Sequence, residues 1–207
     1  LRPAQPGLMS VICEGKKGNA FYICEQCGFG TLSPLKKKRG EKKASHNTHM
    51  GKPCSGNMIR CSLGHEFITD VLEVHFLPDV DDGVDLRSLG YSLAYSLSEG
   101  AAEALGIPST DLSTTVGEIF PRKRKIPPIL LYDAIPGGAG IVSSLENPAV
   151  MKETLKKALL RVNGRCGCDP ETSCYVCLRS YRNQFVHGLL QRGIVQAYLS
   201  KLLKYMA

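Results

Sequence analysis

The sequence predicts an α+β fold with an α/β-like body, in which a small mixed sheet is flanked by helices. Two observations lead to this prediction. From about residue 67 onward, segments that alternate apolar and polar residues, as strands do, are interspersed with segments of helical spacing. The first 70 residues are instead rich in turn formers, cysteines and basic residues. We therefore expect two domains, at residues 1–66 and 67–207.

The N-terminal part has few regular elements. The stretch AFYIC (20–24) predicts a short strand, and the turn CEQCG that follows ends in Gly28, which can adopt the positive φ of such a turn. Residues 35–52 are polar, basic and aperiodic, which indicates a solvated loop or mobile insert. Cys13 falls in an apolar strand (SVIC), so we expect a buried core thiol there.

The body is predicted from its periodicity. Residues 67–77 alternate as a strand does, and residues 86–106 carry leucines at helical spacing before Gly106, a helix stop. The remaining predictions are strands at 113–120 and 127–134, a basic turn (121–125), a helix over about 139–161 with a break at Asn147-Pro148, and one or two amphipathic helices over 185–206.

Four cysteines near the end of the chain have the spacing C-x-C-x5-C-x2-C; they are Cys166, Cys168, Cys174 and Cys177. Zinc prefers four soft donors in a tetrahedron, and short-range pairs can supply them from one loop. Four thiolates leave no position for water, so this zinc would be structural and would brace a loop between helices. The alternatives are an iron–sulfur cluster and free core thiols; no redox signature favours the cluster.

A second zinc site is predicted nearer the N-terminus. Cys24 and Cys27 form a C-x2-C pair, and Cys54 is the best third donor. Spacing alone leaves the fourth ligand open among His46, His49 and Cys61. A pair of reduced thiols at a turn is the alternative. With zinc bound, this part is zinc-ribbon-like, the chain carries two Zn²⁺, and its compartment is reducing and cytoplasmic.

The formal net charge of +7 favours an anionic partner, nucleic acid first. Arg179, Tyr181 and Arg182 combine positive and aromatic character, which suits a phosphate backbone and a base. Alternatively, Tyr181 packs inward and the arginines cap the metal loop. A basic run in the N-terminal part could also meet phosphates or could simply solubilise its loop; it consists of Lys36, Lys37, Lys38 and Arg39.

We expect no catalytic activity. The chain lacks the Walker A motif G-x4-G-K-[ST], which argues against ATP hydrolysis by this chain. The PGGAG turn (136–140) could bind an anion at a helix start, but tight packing of strand against helix is the other explanation. Asp133 ends a buried strand, where catalytic acids often lie, and His187 forms a polar group with Asn183 and Gln184. Capping and loop bracing explain these residues as well as hydrolase or nuclease chemistry does.

Several segments together resemble the MrfA-like zinc-binding (MZB) family: LGHEFITDVLEV (63–74), LYDAIPGGAGIV (131–142) and CGCDPETSCYVCLRSYRNQFVHGLLQRG (166–193). The opening LRPAQPGLMSVI, with FYICEQCGFG and SHNTHMGKPCSG, is similar to the version of the family in the DrmB component of the DISARM phage-defence system. The resemblance runs from about residue 1 to about residue 203.

The resemblance implies a module attached to, or partnered with, a superfamily 2 DNA helicase. In the mitomycin-repair helicases of this family, zinc is bound by four cysteines that correspond to Cys166, Cys168, Cys174 and Cys177 here. In DrmB-like proteins the module belongs to a complex with a helicase subunit that handles foreign DNA. The phrase SHNTHMGKPC resembles an H-x7-C arrangement of the family, which favours His46 over His49; Cys61 keeps the other ligand set open.

These observations predict a non-catalytic, zinc-stabilised module of a helicase-associated DNA-processing complex in anti-phage defence. Its expected partners are DNA and a helicase, either a separate subunit or the core of the same chain. No membrane is expected, because no apolar run approaches the roughly 20 residues of a span. The alternatives are the C-terminal zinc module of a DNA-repair helicase and a protein–protein scaffold without DNA contact. The chain begins at Leu1 rather than Met, so we expect a fragment of a longer protein.

Overall fold

The computed structural model describes residues 1–15, 18–37, 39, 44–76, 80–117 and 126–206. The fold is mixed α+β with small antiparallel sheets and helices, which confirms the predicted fold class. The chain divides into two compact units. Unit 1 comprises Leu1–Gly7 and Ile68–Ala207, and unit 2 comprises Leu8–Phe67. The boundary expected between residues 66 and 67 remains a prediction.

Nine strands form three sheets among the described residues. The largest has the order β1-β7-β9-β8, the second β3-β2-β6, and the third is the hairpin β4-β5. The strands are β1 (Arg2–Cys13), β2 (Phe21–Cys24), β3 (Gly30–Thr31), β4 (His46–Asn47), β5 (Pro53–Cys54), β6 (Met58–Cys61), β7 (Leu63–Val74), β8 (Leu112–Val116) and β9 (Ile129–Asp133).

The α-helices of the described residues all belong to unit 1. They are α1 (Leu86–Leu105), α2 (Ile141–Ser144), α3 (Pro148–Val162) and α4 (Arg192–Tyr205), with a 3₁₀ segment at Tyr181–Leu189. α1 begins at Asp85, whose carboxylate accepts from the Arg87 and Ser88 N–H groups. The Ser88 hydroxyl, which donates to the same carboxylate over 2.7 Å, is the main cause of the lowered pKa of Asp85.

Two helix boundaries lie where the sequence predicts them. α1 ends at Gly106, which has φ +67° and donates its N–H to carbonyls of the last turn. The predicted break at Asn147-Pro148 separates α2 from α3. The Asn147 side chain accepts from the Ala149 N–H over 2.9 Å, and Pro148 occupies the first helical turn, where a missing N–H has no cost.

The apolar core of unit 1 lies between its helices and one face of the sheet. Leu89, Leu93 and Leu97 of α1 are completely buried, as are Ile129 and Leu131 of β9. β9 alternates buried and half-buried residues, so its inward face is apolar as its pattern predicts. Each such side chain contributes about 1.5–3 kcal/mol on burial. This apolar core is therefore a major contribution to the stability of unit 1.

Unit 2 has almost no apolar interior. Among its described residues only Ala20, Cys24, His46 and Cys54 are buried. β2 pairs antiparallel with β6, and the β4-β5 hairpin sets His46 directly opposite Cys54. Three of the four buried residues are therefore cysteine or histidine, which is the composition of a metal site rather than of a hydrophobic core.

Several expectations need correction. Cys13 is exposed rather than buried, because it ends β1, an edge strand of the largest sheet. The stretch 35–52 is not loop throughout: its last residues enter the β4-β5 hairpin. The strand expected at 67–77 already begins at Leu63, and the last predicted helical stretch starts as 3₁₀ structure. The basic turn 121–125 lies outside the described residues. No helix in the described ranges is long and apolar enough to cross a bilayer.

α1 packs closely against the backbone of α3 at Gly100, which gives a test of the unit 1 core. A Cβ there would lie 2.6 Å from the Thr154 carbonyl oxygen and 2.7 Å from the Ala158 nitrogen, and backbone cannot move aside. We expect Gly100→Ala to destabilise unit 1 by about 1–3 kcal/mol, measured by urea unfolding followed by circular dichroism. Gly188→Ala is the matched control, since its Cβ meets nothing within 4 Å. Equal unfolding midpoints for both variants would contradict the packing described.

Candidate metal centres

The C-terminal cluster consists of Cys166, Cys168, Cys174 and Cys177, whose sulfur atoms all lie within 4.8 Å of one another. The Sγ–Sγ distances are 3.4 Å for Cys166–Cys168, 3.8 Å for Cys168–Cys177 and 3.7 Å for Cys174–Cys177. A tetrahedral zinc with Zn–S near 2.3 Å requires edges of about 3.8 Å. The four thiols therefore fit one zinc ion with little rearrangement.

Two tight turns bring these cysteines together. Gly167 has φ +75°, and its N–H donates to the Gly164 carbonyl over 3.0 Å, which turns the chain between the first pair. In the second pair, the Cys174 carbonyl accepts from the N–H groups of three following residues, and the Cys174 N–H donates to the Cys177 sulfur over 3.1 Å. The backbone thus points donors at the sulfur, as a thiolate requires.

The thiols of the C-terminal cluster differ in acidity. Burial raises the pKa of Cys174, but the backbone N–H groups of Val176 and Cys177 outweigh it and lower the pKa to about 7. Burial raises the pKa of Cys177 to about 12, and it also raises that of Cys168. Neighbouring sulfurs contribute to both increases, because thiolates repel one another. A divalent cation would favour the thiolate forms of Cys168 and Cys177, whose pKa values are raised.

The N-terminal cluster consists of Cys24, Cys27, His46 and Cys54, whose ligand atoms also lie within 4.8 Å of one another. The Cys24 and Cys54 sulfurs are 3.8 Å apart, and the His46 Nε2 lies 3.1 Å from the Cys27 sulfur. β2 ends at the first cysteine, and the β4-β5 hairpin presents the histidine and the last cysteine from adjacent strands. Three thiolates and one imidazole are an ordinary structural donor set for zinc.

The surroundings of His46 also fit a metal ligand. Its ring stacks on Phe29 with the centroids 4.7 Å apart, which fixes the ring plane and aims Nε2 at the sulfurs. The chain passes close to the cluster at Gly56, where a Cβ would lie 2.5 Å from the Cys24 sulfur. Among the described residues, the buried Nδ1 of His46 has no hydrogen-bond partner. Of the three candidates for the fourth position, the structure brings His46 into the cluster and leaves His49 and Cys61 outside it.

The residues predicted to meet nucleic acid lie on the surface to different degrees. Tyr181 is 84% exposed, so it does not pack inward, and Arg182 is exposed with one contact of 3.4 Å to the Thr110 carbonyl. Arg179 is half-buried, and its Nε donates to the Ser173 hydroxyl over 3.1 Å, which braces the cysteine loop. In unit 2, Lys36, Lys37 and Arg39 are exposed, and Lys38 lies outside the described residues.

The suspected catalytic acid is engaged in capping. Asp133 is fully buried, and one of its carboxylate oxygens accepts from the Ala139 and Ile141 N–H groups over 2.7 and 3.0 Å. The other oxygen accepts from the Val142 N–H over 3.0 Å. The PGGAG turn and the start of α2 therefore bind an anion, as their N–H groups suggested, but that anion is the chain's own carboxylate.

His187 braces its own segment in the same way. Its Nε2 lies 2.9 Å from the Asn183 Oδ1 and 3.1 Å from the Ser180 carbonyl oxygen, and its ring meets Tyr175 edge-on. The Asn183 amide is buried and donates to the Leu178 carbonyl over 2.9 Å. This network fixes the chain that leaves the C-terminal cluster.

Two arginines near the C-terminal cluster were not apparent from the sequence. Arg161 donates to the carbonyl of Cys177, and Arg192 donates to the carbonyl of Cys168. The partners are 16 and 24 residues apart, so no local spacing reveals them. The one hint is that Arg192 stands at the start of a helical pattern, where an acidic residue is the usual choice.

Comparison with known proteins is consistent with these centres. Residues 93–178 match the family described as the MrfA Zn-binding domain (MZB). The Druantia protein DruE of Escherichia coli (strain UMEA 4076-1) is 29% identical over 202 residues; the match covers 85% of this chain and 10% of that protein. The chain thus spans about a tenth of the length of this curated relative.

Two solved structures show a weaker likeness, each at 14% identity. A crystal structure of the DUF1998 helicase MrfA bound to DNA matches 99% of this chain and 25% of that one, with a TM-score of 0.45. A second, of MrfA bound to DNA and AMPPNP, matches 73% and 18% with a TM-score of 0.46.

The matched segment contains β8, β9, α3 and the C-terminal cluster, and the two four-residue groups are consistent with two Zn²⁺. Residues 93–178 of this chain are similar to the MrfA Zn-binding (MZB) domain family.

Proposed function

We propose that this chain is a non-catalytic, zinc-stabilised module of a helicase-associated DNA-processing complex that contacts nucleic acid and a helicase partner. The observation that carries the proposal is the exposed pair Tyr181 and Arg182, which directly follows the braced C-terminal cluster of an MZB domain. The helicase is either a separate subunit or another part of the same protein. A role in anti-phage defence of the DrmB type rests on the resemblance of residues 1–12, 21–30 and 45–56 to that component.

The zinc ligands in this proposal are the members of the two clusters. The C-terminal ion is held by four thiolates, and the N-terminal ion by three thiolates and the Nε2 of His46. Both sets are closed, so each zinc is structural, and its chemistry is to fix the chain rather than to activate water. Reduced thiols are required in both sites, which suits a cytoplasmic protein.

The proposal of a non-catalytic role is supported by the hydrogen bonds of Asp133. Its carboxylate accepts hydrogen bonds from the backbone N–H groups of Ala139, Ile141 and Val142, so it acts as a cap. His187 is likewise held by Asn183 and the Ser180 carbonyl. A hydrolase built on these two side chains would have to break both networks before it could bind a reacting group.

A protein–protein scaffold without DNA contact is the second candidate, and the surface of the C-terminal cluster favours it. Tyr175, Val176 and Phe185 are 62%, 68% and 77% exposed, and together they make the neighbourhood of the cysteines apolar as well as basic. Exposed apolar groups of this size are typical of sites that bind another protein. The C-terminal zinc module of a DNA-repair helicase is a further version of the same arrangement.

The ligand assignment predicts the zinc content of the purified chain. We expect two zinc ions per chain by elemental analysis, and one in His46→Ala and in Cys174→Ser, since each variant opens a different site. His49→Ala and Cys61→Ser are matched controls that should retain both ions. Loss of zinc from Cys61→Ser with retention in His46→Ala would assign the fourth position to Cys61, and a single zinc in the wild type would reject the N-terminal site.

The sparse interior of unit 2 predicts that its fold depends on metal. Zinc removal by a chelator should abolish the protection of its backbone amides, while α1 and β9 of unit 1 stay protected by their apolar core. Hydrogen exchange followed by mass spectrometry measures the protection of unit 1 and unit 2 separately, and peptides from residues 86–105 are the internal control. Return of zinc should restore protection, and persistent protection of residues 44–61 without metal would contradict the dependence.

Nucleic-acid contact predicts a salt-dependent affinity. With labelled single- and double-stranded oligonucleotides, log K should fall with log salt by about 0.7–0.9 for each phosphate neutralised. Arg182→Ala should reduce the magnitude of that slope by about 0.7–0.9, the value for one phosphate contact. Tyr181→Ala should weaken single-strand binding by about 1–3 kcal/mol, because the stacking of its ring on a base is lost. Arg87→Ala, which removes an exposed arginine of α1, is the control. A slope near zero, with or without a helicase partner, would leave the scaffold as the function.

A further inference from the structure

The start of α4 is built on the loop of the C-terminal cluster. No side chain caps this helix. Instead, the Arg192 N–H donates to the Thr172 carbonyl over 2.9 Å, and the Gly193 N–H donates to the Pro170 carbonyl over 2.8 Å. These are N–H groups that a helix cannot satisfy internally. The approach requires glycine, because a Cβ at Gly193 would lie 2.7 Å from the Pro170 Cβ.

The Arg192 side chain extends the same contact to a cysteine of the cluster. Its Nε and Nη2 both donate to the Cys168 carbonyl, over 3.0 and 2.8 Å, and its Nη1 donates to the Gln196 Oε1 over 3.0 Å. The carbonyls of residues 168, 170 and 172 thus all accept from the first turn of α4.

The other half of the loop is held from α3. Near the end of that helix, the Arg161 Nε donates to the Cys177 carbonyl over 3.0 Å. The Nη2 of the same guanidinium lies 3.1 Å from a carboxylate oxygen of Glu99 on α1. One arginine therefore connects the second cysteine pair to two helices, and the other connects the first pair to α4.

The charge of Arg192 has no visible counterpart in this network. The residue is only 8% exposed, yet within the described part of the chain it forms no ion pair with an aspartate or glutamate. Buried charges are normally paired, since removing an ion from water is costly. Four thiolates around one Zn²⁺ carry a net charge of −2, which is the countercharge that a guanidinium on the Cys168 carbonyl would offset.

We propose that Arg192 and Arg161 are positioning residues of the C-terminal zinc site. Both arginines hold the loop at the distance that the ion needs, and Arg192 also offsets part of the negative charge of the tetrathiolate. The proposal rests on the zinc site assigned under the proposed function. It adds that metal retention and the position of α4 depend on each other, because both act on the same loop.

The test is the rate at which the 207-residue chain, loaded with Co²⁺, releases metal to a chelator. Thiolate–cobalt absorption bands depend on the number of thiolates, so the four-thiolate site can be followed apart from the three-thiolate one. We expect Arg192→Met to accelerate release from the four-thiolate site by about 10- to 100-fold, the usual effect of losing an outer partner. Arg161→Met should have a smaller effect, because Arg161 is about one third exposed. Release from the three-thiolate site should not change.

Two controls separate positioning from general destabilisation. Val195→Ala truncates a fully buried side chain of α4 and leaves both arginines in place, and it should lower the Tm without a matching increase in release rate. Arg192→Lys keeps the positive charge but cannot donate two hydrogen bonds from a planar guanidinium to the Cys168 carbonyl. It should therefore release metal faster than the wild type, and it provides the test if Arg192→Met does not fold.

The outcomes are distinct. A metal-release rate of Arg192→Lys within twofold of the wild-type rate would overturn the proposal. The proposal would also be overturned if Val195→Ala released metal as fast as an arginine variant with the same Tm. A wild-type chain without the four-thiolate band would reject the zinc site itself, and with it this role of the arginines.

Discussion

The convergence of three thiols and one imidazole is the interaction on which unit 2 depends. Three of the four buried residues among its described residues belong to the N-terminal cluster. Its strands are short, with β3, β4 and β5 of two residues each, and such elements are not stable alone. A small unit that cannot bury enough apolar surface needs a metal or a disulfide instead. The metal ligands thus stabilise unit 2, as the buried leucines stabilise unit 1.

In unit 1 the metal has a narrower task. The leucines of α1 and the inward face of β9 provide most of an apolar core, and the cysteines of the C-terminal cluster pack at its edge, with Cys177 buried in it. The C-terminal cluster fixes a loop that leaves α3 and reaches α4, and the segment 175–187 leaves that loop with its aromatic and basic side chains outward. The hydrogen bonds of Asn183 and His187 hold the same segment from within. The surface that we propose for partners is therefore preorganised by metal on one side and by a polar network on the other.

The features that could be predicted from the sequence are those that depend on local spacing along the chain. α1, its stop at Gly106 and the break at Pro148 follow from periodicity and caps, and the C-terminal cluster follows from four cysteines in twelve consecutive positions. The fourth donor of the N-terminal cluster could not be chosen in this way, because it depends on a hairpin register that pairs His46 with Cys54. Cys13 was wrongly expected to be buried, because an apolar run does not show that its strand lies at a sheet edge. The contacts of Arg161 and Arg192 with the cysteine loop could not be predicted either, because the residues that they contact are distant in sequence.

The order of the ligands along the chain has a consequence for biosynthesis. Unit 1 is assembled from residues on both sides of unit 2, so its sheet requires β9 and β8 and cannot form until the ribosome has passed residue 133. The donors of the N-terminal cluster are all complete by residue 54. Domains fold as they emerge, at about 5–20 residues per second. The nascent chain can therefore bind a metal ion at the N-terminal cluster several seconds before the hydrophobic core of unit 1 exists.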